Sequence, residues 1–221
     1  MNLRSWIFII LILLAATLTI VALRYKQSAA ADRAASLRNL QQWGIALTLY
    51  LMEHDSQLPE VGSLPLSPEQ TNAWYNALPP YLSAKPLTAL DPAERSQTKT
   101  PSIWIDPANK TPVRPDGPYL FQYGMNHYLQ PDSTLRSFKI NELQRPANVI
   151  FMAETSSKEP FATPENVAYR HGSNSAAATA EAFVTFADGH VAPVPRSQLS
   201  DSPDSLRADA AGEGKVSWFK E

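Results

Sequence analysis

Residues 6–23, "WIFIILILLAATLTIVAL", carry no charge and are mostly apolar, and any fold proposed for this chain has to place them first. At ~1.5 Å rise per residue a helix of this length covers roughly 27 Å, enough to cross a hydrocarbon core of ~30 Å. Arg4 precedes the run, and Arg24 and Lys26 follow it. A membrane anchor is the expectation. The competing reading is a secretory signal peptide, whose apolar region is shorter, ~7–15 residues, and which ends on small residues. Ala29–Ala31 would serve as that cleavage site. Basic residues flank both ends, so the charge rule for orientation is nearly balanced. Arg4 with the free amine and a downstream part that reads as a soluble domain favour a cytoplasmic N-terminus.

The helical pattern continues past the apolar run. Neither Gly nor Pro interrupts the chain before Gly44, and the first Pro is Pro59. Leu37, Leu40, Trp43, Leu47, Leu51 and His54 recur every three or four residues, the signature of an amphipathic helix. One helix from about Ser5 to about His54 is therefore expected, roughly 75 Å long. Two helices broken near residues 27–32 are the alternative. The division that follows is a cytoplasmic N-terminus (1–5), a transmembrane helix (6–23) and its amphipathic continuation (24–55). An α+β globular domain (56–195) and a polar tail (196–221) complete it.

The remainder is punctuated by proline, 19 in 221 residues, against a usual ~5%. Short elements and much loop are expected. "SPEQTNAWYNALPPYL" reads as a short helix with Ser67 as N-cap and Pro68 at its first position. "SIWID" (102–106) is a strand candidate, as are residues 119–129 and the apolar run 148–154. "AFVTFA" and "HVAPV" flank Asp188-Gly189, a strong hairpin signal because both residues tolerate positive φ. Pro193 lacks an N–H and places its strand at a sheet edge. "KVSWFKE" at the end is a further strand candidate. The class is α+β: a long N-terminal helix packed on a small antiparallel sheet with irregular loops.

Composition excludes several chemistries. With no cysteine there is no disulfide, thiolate metal site or cysteine nucleophile. A net charge of -2 gives no sign of a nucleic-acid partner. There is no Walker loop, no G-x-G-x-x-G and no G-x-S-x-G. Asp116, in the "RPDG" turn, is a single carboxylate, thin support for a calcium site. Trp74, Tyr75, Tyr81, Trp104, Tyr119, Phe121 and Tyr123 either form a core or line a sugar- or peptide-binding face.

Several segments together resemble the pseudopilin-like, prepilin-type proteins of type II secretion systems that are common in planctomycetes and verrucomicrobia. Those carry a closing motif of His, nine residues, Asp-Gly. The similar stretches here are Arg38 with "NLQQWG" (39–44), "YLMEHDSQLP" (50–59), "YGMNHYL" (123–129), "RPANVIFMAE" (145–154), "RHG" (170–172) and "FADGHV" (186–191). The resemblance spans roughly residues 33–195. It implies a pilin-like fold and a non-enzymatic role in assembly, without a cofactor. It further implies pseudopilin-like or secretion-apparatus partners and an inner-membrane location with the C-terminal domain periplasmic or extracellular. An anchored carbohydrate- or peptide-binding module is the alternative.

Three departures qualify it. The family's Gly-Phe-Thr-Leu-Ile-Glu cleavage site is missing, so processing by prepilin peptidase is not expected. Sixteen residues separate His171 from Asp188, the extra seven matching "SAAATAE" (175–181). The family's Cys-Pro pair is replaced by "IDPAN" (105–109). On the family pattern Asn126, Glu154, Arg170, His171, Asp188, Gly189 and His190 form the structural motif. Asp188-Gly189 would make the turn, and His171 would bond to the hairpin backbone. His171, Asp188 and His190 are the minor option for a metal site. His54 is expected to interact with the end of the long helix.

Overall fold

A computed structural model describes residues 3–91, 94, 102–110, 119–130, 138–172, 179–199 and 216–218. The "RPDG" turn with Asp116 and most of the alanine-rich insertion fall outside them.

The apolar run and the amphipathic segment form one uninterrupted helix, α1 (Leu3–Glu53), about 76 Å long. The alternative of two helices is not what the chain adopts. Residues 9–31 are exposed throughout, and burial begins only beyond Ala31. The helix is long and apolar enough to cross a membrane. In its second half Leu40, Trp43, Leu47 and Tyr50 are buried, one face at helical spacing. His54, expected on that stripe, is exposed, and its ring stacks on Tyr50 at 3.8 Å. Its Nδ1 reaches the Tyr50 carbonyl at 2.9 Å, so it does engage the last turn. The helix ends at Asp55 and Ser56, both at positive φ, with Ser56 N–H bonded to the Leu51 carbonyl in a Schellman-type closure.

Five strands form one sheet in the order β3-β1-β2-β4-β5. They are β1 (Phe121–Asn126), β2 (Ile150–Ser157), β3 (Phe161–Ala162), β4 (Glu181–Phe186) and β5 (Val191–Pro195). The class is α+β, but the sheet is mixed and not purely antiparallel: β3 runs parallel to β1. Gly124 permits this, because a side chain there would meet the backbone of Phe161 and Ala162. β5 is an edge strand, as Pro193 requires.

The sheet buries both faces. Phe151 and Phe183 join the cluster under α1 with Leu40, Trp43 and Leu47. Ile150, Val184, Phe186 and Val194 pack on the far face with Leu199 and Trp218. Alternation along β4 is the strand period of two. Trp43 meets Trp74 at 5.4 Å and Trp104 at 5.1 Å, both edge-on.

Three expected elements differ. "SIWID" is a turn, because α1 takes its carbonyls: Asn39 Nδ2 donates to Ser102 and Ile105, and Trp43 Nε1 to Ile103. Carbonyls used in this way are not available to a ladder. The helix expected from Ser67 shrinks to α2 (Trp74–Ala77) followed by a 3-10 turn at Pro79–Leu82. Ser67 Oγ instead accepts from the Glu69 N–H in a local turn. The tail is not wholly polar surface. It opens with α3 (Arg196–Leu199), and Ser217 returns as a single bridge to Val149 with Trp218 fully buried.

Candidate functional site

The residues of the motif separate into three places. Asn126, at the end of β1, is fully buried. Its Nδ2 donates to Ile150 O at 2.8 Å and Trp218 O at 2.9 Å, and its Oδ1 accepts from Tyr128 N–H. It therefore ties the C-terminal segment to the sheet.

Asp188, Gly189 and His190 form the hairpin tip. Gly189 has φ +90°, whereas Asp188 does not adopt positive φ. The Gly189 N–H donates to Phe186 O and the Phe186 N–H to His190 O, the pattern of a three-residue loop with a glycine bulge. Asp188 Oδ1 accepts from the His190 N–H at 3.1 Å and lies 2.6 Å from His190 Nδ1. The His190 ring stacks on Phe186 at 4.3 Å.

His171 lies at the opposite end of β4. Its backbone pairs with Glu181, and its Nε2 is 2.9 Å from Glu154 Oε1. The six residues of β4 separate it from the tip, roughly 20 Å. The side chain therefore does not clamp the turn as expected, and the suggested metal set of His171, Asp188 and His190 is not brought together. Among the described residues no group of three or more His, Asp or Glu is placed to hold a metal ion.

What the structure assembles instead is a buried polar network beneath α1. The β2–β4 ladder runs only as far as Ala153–Val184. Beyond it Glu154 fills the gap with its side chain: Oε2 accepts the Phe183 N–H at 2.9 Å. Beside it, Arg170 bonds Asp106 Oδ2 at 2.8 Å and the Thr155 carbonyl. Asp106 Oδ1 accepts from Ala108 N–H and from Ser36 Oγ of α1. The Asp106 N–H donates to Gln122 Oε1 at 2.7 Å. Glu154 and Asp106 have no exposed surface. Burial pushes the Glu154 carboxyl up to about 7, with Asp106 adding to the rise and His171 and the Phe183 N–H opposing it. The Tyr123 phenol is also raised, by burial first and then by Asp106 and Glu154.

Asp106, Ser36 and Gln122 were not legible as site residues. Asp106 alone carried a hint, an Asp whose side chain can accept from the N–H two residues later in "DPA". Most of these aromatic residues form core: Trp74 and Tyr75 have no exposure, and Phe121 and Tyr123 have almost none, whereas Tyr81 and Tyr119 are half-buried. Two open clefts of about 350 and 490 Å³ adjoin Tyr50, Glu53, His54 and Asn72 at the end of α1.

Comparison with family models, curated proteins and solved structures finds no match to this chain.

Proposed function

We propose that this protein is a membrane-anchored, non-enzymatic pseudopilin-like structural protein that works by assembly with other pseudopilin-like or secretion-apparatus proteins. In this reading the N-terminus is cytoplasmic, α1 crosses the inner membrane once, and the α+β domain lies in the periplasm or outside the cell. The observation that carries it is the surface of α1. The helix emerges from its apolar half without a break, packs one face on the sheet, and leaves another face apolar and exposed. Ile45, Leu49 and Met52 are 55%, 39% and 78% exposed and lie four and three residues apart. Such a row suits packing against a neighbouring helix. Alkaline extraction of membranes, followed by protease treatment of intact and permeabilised cells, tests the reading. Full-length protein should stay with the membrane and its domain should be cut from outside. Full-length protein in the soluble cytoplasmic fraction overturns it.

A further inference from the structure

The Glu154 carboxylate stands where backbone pairing between β2 and β4 stops. It joins three parts of the fold. On β4 it accepts the Phe183 N–H, and on the segment before β4 it meets His171. Its own carbonyl accepts the Ala168 N–H. β4 in turn carries α1: Thr185 Oγ1 donates to Leu40 O, Arg33 bonds Glu181 at 3.0 Å, and the Arg33 guanidinium lies over the Phe183 ring.

Charge balance around this point is tight. Facing Glu154 are His171 from the 169–171 segment, Asp106 from the 102–110 turn and Tyr123 from β1, while Arg170 of the same segment bonds Asp106. Glu181 on β4 and Arg33 on α1 neutralise each other farther out. Arg170 neutralises Asp106. The Glu154–His171 pair is thus neutral when it holds one proton, whichever partner carries it, and bears one negative charge when it holds none. A net charge without surface exposure is costly.

We propose that Glu154 and His171 form a proton-operated latch: with one proton shared the pair closes the gap between β2 and β4, and loss of that proton releases the β4–β5 hairpin and the seat of α1 upon it. The sign follows from the carboxyl's shift. A folded-state pKa near 7, raised from 4.5, gives stability that is complete below about 4.5 and is lost as pH rises through 7. The latch is independent of the assembly reading, since it concerns the domain alone.

Hydrogen exchange of the full-length protein in detergent tests it, with rates corrected for intrinsic pH dependence. Protection of residues 181–186 should fall about tenfold from pH 5 to pH 6, one proton's worth, and level off above pH 7. In E154Q it should stay constant over that range. Should E154Q not fold, infrared spectroscopy of the unaltered protein decides: a buried carboxylic-acid band should be present at pH 6 and gone at pH 8. Unchanged protection in the unaltered protein, the same fall in E154Q, or no such band at pH 6 overturns the latch.

Discussion

Gly44 of α1 lies directly against Gly189 at the tip of the β4–β5 hairpin, so close that a methyl group on Gly44 would overlap the Gly189 carbonyl oxygen. The two residues are far apart in sequence, and their contact fixes where the helix crosses the sheet. A glycine inside a helix costs about 1 kcal/mol against alanine. Close approach to the hairpin offsets that cost here.

G44A should therefore destabilise the domain despite its better helix propensity, by about 1–3 kcal/mol of overpacking. Chemical denaturation of the full-length protein in detergent measures it. A neutral or stabilising G44A would mean that helix and hairpin are not held at this distance.

The Arg170–Asp106 pair supplies a second test. Both side chains are nearly or wholly buried, at 10% and 0% exposure. R170Q leaves Asp106 charged without its partner, and breaking such a pair costs about 3–5 kcal/mol. D106N should cost less when combined with R170Q than the two single changes added together, because they share one interaction. Additive effects in a double-mutant cycle would show that the pair is not coupled.

Trp43 is the centre of the aromatic core, in edge contact with Trp74 and Trp104 and bonded to the Ile103 carbonyl. W43A should lose about 3–5 kcal/mol. W43F, which keeps a single aromatic ring and loses the indole N–H, should lose less. Equal losses for the two would show that the Trp43–Ile103 bond outweighs the packing.

Local patterns made the long helix and the hairpin legible. The period of Leu40, Trp43 and Leu47 and the pair Asp188-Gly189 flanked by apolar runs each report on neighbours a few residues away. The polar network was not legible, because it joins distant positions: Ser36 and Asp106 are 70 residues apart in sequence. "SIWID" has strand composition, yet α1 claims its carbonyls, a tertiary effect that propensity does not contain. Likewise the run containing Glu154 read correctly as a buried strand, while its partner His171 was expected at the hairpin tip. The missing information was where the β2–β4 ladder ends.

The central claim is that α1 carries the protein in a membrane and presents a free apolar row to a neighbouring helix. Photo-crosslinking in native membranes, with the reactive residue placed at Met52 or, as a control, at the exposed Glu69, tests it most directly. The account predicts a discrete covalent adduct from position 52, to a second copy or another membrane-anchored pseudopilin-like chain, and none of comparable yield from position 69. Equal, diffuse labelling from both positions would contradict it.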